Sequence, residues 1–175
     1  MSEIVALYAD GGLIVKNPSP YGGTWAYCGV DAEGNRVLAR SGWIEAPAGR
    51  VITNNHTEQI ALTLALEAMP DGWNGKVYSD SNIALGRVFR NYTTRNLPQN
   101  ISDRSRAAVR RLGHITAILL QGHPTKKDLE CGIGAKRKLP VSIHNVWCDK
   151  ACTAAANDFK AKHPELFQKE AAAAA

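Results

Sequence analysis

Three carboxylates in this chain stand where an acid can do chemistry. Asp10 follows the apolar run "EIVALYA", Asp80 follows "KVYS", and Glu58 sits at the head of "TNNHTEQIALTLALEAM". Active groups of open α/β sheets collect beyond the carboxyl ends of the central strands. If the two strands are neighbours, Asp10 and Asp80 come together, and a helix packed across that end delivers Glu58. Clustered acids repel one another and call for a cation. Hard divalent ions such as Mg²⁺ take oxygen ligands and keep several waters. Two such ions about 3.5–4 Å apart suit in-line phosphoryl displacement. Singly, each acid has an ordinary explanation: a turn former before Gly11-Gly12, a helix cap at Asp80, a helix-dipole partner at Glu58. Their joint placement favours a site.

Those acids need elements to carry them. Residues 3–9 read as a strand ending at Asp10, followed by the turn-rich loop "GGLIVKNPSPYGG". "TWAYCGVD" and "RVLARSGWIE" flank the hairpin signal "AEGN". Ile60, Leu64 and Met69, with Ala61 and Ala65, give a helical apolar face, and Thr53, Asn54 or Asn55 can cap it. "KVYSD" is a short strand. "SNIALGRVFRN" is a helix opened by Ser81. Ser102 caps a basic helix that Gly113 ends. "HITAILLQ" is a strand and "NVWCDKACTAAANDFKAKH" a last helix. The order β-β-β-α-β-α-α-β-α predicts an α/β protein: a five-stranded mixed sheet flanked by helices.

Bulk properties agree. The 175 residues, 45% apolar and 21% charged, suit one domain with a core of its own. No apolar run nears the roughly 20 residues that span a bilayer. The N-terminus carries Glu3 and Asp10 where a secretory signal has a basic region, so a cytoplasmic protein is expected. Cys28, Cys131, Cys148 and Cys152 form no CxxC pair, and Cys148 and Cys152, one helical turn apart, read as small buried hydrophobes rather than a metal or redox pair. "NYT" at Asn91 and "NIS" at Asn100 match a glycosylation pattern by chance. The net charge of +5 hints at a polyanionic partner. It concentrates in Arg104, Arg106, Arg110 and Arg111, and in Lys126, Lys127, Lys136, Arg137 and Lys138. The five terminal alanines are set aside as low complexity.

In order along the chain, "LYADGG", "KNPSPYGG", "TNNHTEQIA", "YSDSN", "QGH" and "NVWCDKA" resemble the motifs of the type 1 ribonuclease H family, over about residues 4–158. The resemblance implies the ribonuclease H-like fold and an endonuclease that hydrolyses the RNA strand of RNA–DNA hybrids. Two Mg²⁺ ions, or Mn²⁺, would serve each active site, and the products would be 5′-phosphate and 3′-hydroxyl ends, with little sequence preference. Carried over by motif, Asp10, Glu58, Asp80 and Asp149 are the implied metal ligands and His123 the implied proton-transfer histidine. Asn17, Thr53, Asn54, Asn55 and Asn82 fall where the family contacts the hybrid. Amides and hydroxyls suit that task, because a 2′-OH both donates and accepts.

The sequence also departs from the family. Gly12 stands where many members have serine, and Asn82 where many carry the longer glutamine. Between Asp80 and His123 only one modest basic helix fits, so the basic handle of some bacterial members is absent or reduced. Between His123 and Asp149 lie 25 residues, more than in familiar members. This extended loop, 124–145, carries Lys136, Arg137 and Lys138, which are expected to bind hybrid backbone in place of the handle. The length of the loop leaves Asp128 as a second candidate for the last ligand. The domain is expected to span 1–163, with 164–175 a tail, and to be monomeric and independent of membranes. A junction resolvase or exonuclease of the same fold, and a non-catalytic hybrid- or RNA-binding module, are the rival readings.

Overall fold

Alternate residues of a strand point to opposite faces of its sheet, and an apolar run without polar interruption therefore suits a strand covered on both sides. The computed structural model describes residues 3–90, 92 and 99–167; Asn91 and the terminal alanines lie outside these. The first apolar run forms β1 (Ala6–Leu13), which pairs antiparallel with β2 (Gly22–Val30), which pairs antiparallel with β3 (Arg36–Glu45). β4 (Gly75–Ser79) lies parallel to β1 on its other side, and β5 (Ile115–Leu119) lies parallel to β4. The sheet order is β3-β2-β1-β4-β5. The mixed five-stranded sheet is the one expected, and β1 and β4 are neighbours. Tyr8 and Tyr78 are register partners with rings stacked 4.6 Å apart. Asp10 and Asp80 each follow two residues later, so that stack sets the two acids level.

Among the described residues the helices are α1 (Asn54–Glu67), α2 (Asn82–Phe89), α3 (Gln99–Arg111), α4 (Lys126–Cys131) and α5 (Ile143–Lys162). Leu7, Ala9 and Val77 face a core shared with Leu62, Leu66, Leu85 and Leu112 of the α1–α3 side. Ala6, Tyr8, Ala26, Cys28 and Leu120 face the other layer, against Cys148 and Cys152 of α5. All four cysteines are free thiols, and only Cys131 is exposed. Past α5, Phe167 packs its ring 4.8 Å from Tyr21, so the folded chain continues beyond His163. No described helix is long and apolar enough to cross a membrane.

Four local expectations are corrected. β1 does not stop at Asp10; Gly11, Gly12 and Leu13 continue the ladder opposite Trp25, Thr24 and Gly23. The two glycines look like turn formers, but Gly11 lets α1 lie against the strand, and a Cβ at Gly12 would meet Thr24 Oγ1 of β2 at 2.6 Å. Glu58 is the fifth residue of α1, outside the first turn, so the helix-dipole explanation fails. Ser102 does not cap α3 but lies buried within it. The 124–145 segment contains a helix, α4, that the glycines and prolines concealed.

The first arginine cluster has a structural use. Arg104 pairs with Glu67 of α1 at 2.6 Å, and Arg106 with Asp103. The Arg111 guanidinium donates to the carbonyls of Leu66 (2.7 Å), Glu67 (2.8 Å) and Met69, and to Asp71. Carbonyls at a helix C-terminus lack partners within the helix and attract cations. Arg111→Ala is expected to cost on the order of 2 kcal/mol, read as a lower urea midpoint. Arg111→Lys should recover only part of it, because an ammonium cannot fork across several carbonyls.

Candidate active site

Asp10, Glu58 and Asp80 come from β1, α1 and the exit of β4, and each offers a carboxylate oxygen within 4.8 Å of the others. The approach of α1 depends on Gly11. A Cβ there would lie 2.2 Å from the backbone nitrogen of Glu58 and 2.3 Å from the carbonyl carbon of Thr57. Hydrogen bonds fix the acids. Asp10 Oδ1 accepts from the Gly11 N–H at 2.8 Å, and Glu58 Oε1 accepts from Asn54 Nδ2 at 2.6 Å. The start of α1 is itself tied down, as the Thr53 N–H donates to His56 Nδ1 at 3.2 Å.

These surroundings oppose negative charge. Burial, then the charges of Asp80, Glu58 and Asp149, push the Asp10 carboxyl well above the ordinary range. Burial lifts Glu58 to about 7; Ser81, by hydrogen bond, and Arg87, by charge, act against this while Asp80 adds to it. Asp80 is also raised, first by burial, with a hydrogen bond from Asn145 among the opposing influences. Three acids that resist ionising together form a donor set suited to a divalent cation. An all-oxygen set suits hard cations over softer metals.

The other expected members fall around this trio. Asp149 of α5 stands outside the tight group, with a side chain 48% exposed, yet its charge acts on both Asp10 and Asp80. His123 is 84% exposed and holds Nδ1 4.0 Å from Asp149 Oδ2. Together with Asp80, Asn145 and Val146, the pair lines a cavity of about 240 Å³. Gly122 permits this, since a Cβ there would lie 2.3 Å from Asp80 Oδ2. Asp128, the second candidate for the last ligand, is engaged elsewhere: its carboxylate accepts from Thr125 and Ala135.

Thr53, Asn54 and Asn55 are partly buried at the start of α1, and Asn82 is exposed in the first turn of α2. Asn17 is exposed on the loop after β1. A two-way backbone bridge between Ser19 and Ile52 joins that loop to the approach of α1. Lys136 and Arg137 line a cavity with Asp80, Gln121, Gly122 and His123; Lys138 is not among its lining residues.

Sequence reasoning missed three contributors. Ser81 appeared only as a cap, but it also reaches Glu58. Arg87 carries a buried, unpartnered terminal nitrogen and acts on Glu58 by charge. A lone arginine in the apolar stretch "IALGRVF" was the available signal. Asn145 is 3% exposed, with Oδ1 unpartnered while the side chain bonds Asp80. Its place four residues before Asp149, one helical turn, was the signal there.

An antiparallel three-strand meander continued by two parallel strands, with a carboxylate cluster at the β1–β4 boundary, places the chain in the ribonuclease H-like fold class, and solved structures bear this out. It superposes on the N-terminal RNase H domain of a Mycobacterium tuberculosis protein, solved as a fusion with maltose-binding protein, with a TM-score of 0.63 and 14% identity, over 90% of this chain and 98% of that one. It superposes on RNase H1 from the halophilic archaeon Halobacterium salinarum with a TM-score of 0.59 and 19% identity, over 88% and 98%. A compost metagenome RNase H1, LC11, crystallised with an RNA/DNA hybrid, gives a TM-score of 0.55 and 19% identity over 87% and 96%. No family model and no curated protein matches the sequence.

Proposed function

We propose that this protein is a ribonuclease H, an endoribonuclease that hydrolyses the RNA strand of RNA–DNA hybrids. The observation that carries the reading is the convergence of Asp10, Glu58 and Asp80 at one strand boundary. It is supported by the fold and by the hybrid bound to the LC11 enzyme. Asp10, Glu58, Asp80 and Asp149 would hold two Mg²⁺ or Mn²⁺ ions, which supply Lewis acidity to the attacking water and to the 3′-leaving oxygen.

The remaining work falls to the protein's own groups. Asn54 orients Glu58 through its 2.6 Å hydrogen bond, and Asn145 orients Asp80. His123, exposed beside Asp149, exchanges a proton through its ring nitrogens with the reacting groups as product forms. Thr53, Asn55, Asn17 and Asn82 offer short polar groups to 2′-hydroxyls, base edges and phosphates. Such contacts fix register without reading sequence.

One assay tests this. Labelled RNA–DNA hybrid, duplex DNA, duplex RNA and a four-way junction are incubated with the protein and Mg²⁺. Cutting of the hybrid alone, with 5′-phosphate and 3′-hydroxyl ends, and its loss in Asp80→Asn, is expected. Cleavage of the junction or of DNA would favour another nuclease of this fold. Tight hybrid binding without cutting would make the protein a binding module.

A further inference from the structure

The loop between His123 and Asp149 is the part of the chain that departs most from the resemblance, and it is built as a mount. Thr125 caps α4, its Oγ1 accepting from the Asp128 N–H at 3.2 Å. Asp128, 6% exposed, returns the bond: Oδ2 accepts from the Thr125 N–H and hydroxyl, both at 2.9 Å. Its Oδ1 accepts from the Ala135 N–H at 2.8 Å, which closes the loop onto the helix. Gly132, at φ 72°, ends α4, and Ile133 then bridges to Pro140. Gln121, two residues past β5 and 7% exposed, clamps the other side. Its N–H donates to Pro140, and its Oε1 accepts from the Arg137 N–H at 2.9 Å. Gly134 lies so close that a Cβ would fall 2.1 Å from the Gln121 side chain. The loop therefore rides on the strand end that delivers His123.

What it carries is charge without a counter-ion. Lys136 and Arg137 line a cavity of about 420 Å³ whose other wall is Asp80, Gly122 and His123. Among the described residues neither has an ion-pair partner, whereas Arg104, Arg106 and Arg111 all do. Exposed cations on a fixed backbone, with no ion-pair partner among the described residues and opening on a reaction centre, fit an anion supplied by the substrate. A group in that cavity shares it with Asp80 and His123, so it belongs to the strand being cut.

Building on the function proposed above, we infer that Lys136 and Arg137 form a phosphate subsite for the RNA strand, one linkage from the scissile phosphate. Asp128 and Gln121 are its positioning residues. The nearest phosphate anchors the strand while the next is cut. Lys138 stands off the cavity and takes no part.

Binding of hybrid is measured in the Asp80→Asn background with Mg²⁺ present, between about 50 and 200 mM salt. Replacing both Lys136 and Arg137 by glutamine is expected to weaken binding about tenfold at moderate salt and to lower the log–log salt slope by about one. Lys138→Gln should leave the slope unchanged. Asp128→Ala, with both cations present, should reproduce the affinity loss of the double variant while the fold still melts cooperatively. A hybrid with one uncharged methylphosphonate linkage beside the scissile position of the RNA strand should bind the parent more weakly and the double variant no differently. An unchanged slope in the double variant, or an equal loss from Lys138→Gln, overturns the subsite even if the wild-type protein cuts hybrids. Failure of the wild-type protein to cut hybrids overturns the function proposed above instead.

Discussion

Asp10→Asn is expected to lower hybrid cleavage by at least about 10³-fold and, without divalent cations, to raise the melting temperature above pH 7. Both effects have one cause. Asp10 is the most buried acid of the trio, and its charged form is opposed by burial and by three neighbouring carboxylates. Asparagine keeps the shape and removes the charge. The sign of the pH dependence follows from the direction of the shifts. Glu58 has a folded pKa near 7 against an ordinary 4.5, so the folded protein retains a proton that the unfolded chain releases between these values. Its stabilising contribution is complete below about pH 4.5 and lost as pH rises to about 7, an effect on the order of 3 kcal/mol for this group. Asp10 and Asp80 are raised too, so their losses run in the same direction. Metal-free wild-type protein should therefore weaken on going from pH 5 to pH 8, and Mg²⁺ or Mn²⁺ should restore it by mass action. Asp10→Asn should flatten the decline, leaving the shares of Glu58 and Asp80, and respond less to the cation. Thermal scans of both proteins at pH 5 and pH 8, with and without Mn²⁺, check this. A variant that melts no higher than wild type at pH 8 would contradict it.

Gly11→Ala should be the most damaging single methyl in the site. Its Cβ would meet backbone atoms of Thr57 and Glu58 at 2.2–2.3 Å, and no rotamer change relieves a clash with main chain. Either α1 moves off the sheet or β1 bends. Overpacking of flexible neighbours typically costs 1–3 kcal/mol, so about 3 kcal/mol or more is expected here. Because the clash is at Glu58 itself, cleavage should fall even in the fraction that folds. Urea unfolding and the hybrid assay together separate the two losses. Gly34→Ala provides a contrast. Among the described residues, beyond its chain neighbours, no heavy atom lies within 4 Å of the Cβ built there, and its φ of 85° carries only the ordinary strain of an L-residue in the left-handed region. A Gly11→Ala protein as stable as Gly34→Ala would show that α1 does not depend on this contact.

Much of the architecture follows from local pattern. Apolar runs that stop at Asp10 and Asp80, a helical face on Ile60 and Leu64, and a hairpin signal between two strands are one-dimensional features, and each became the element expected. The corrected details share a different character. Gly11 and Gly12 look like turn formers until α1 is seen to lie against the strand they continue. Arg111 looks like part of a nucleic-acid patch until it is found on carbonyls 42 to 45 residues away. The cap formed by Thr125 and Asp128 was written in the sequence, but glycines and prolines around it hid a helix of six residues.

The division between sequence and tertiary structure is therefore one of range. By itself the sequence determined the five strands, every helix but α4, their order, and the three acids worth watching, because side-chain periodicity and turn chemistry act between residues a few positions apart. Folding decided what those acids meet. It made β1 and β4 neighbours, set Asp10 and Asp80 level through the Tyr8–Tyr78 stack, and brought Glu58 across Gly11. It also directed Asn145 and Arg87 toward the acids, and set Lys136 and Arg137 opposite His123. Those outcomes depend on burial and on contacts between distant segments, which a linear pattern does not encode one residue at a time.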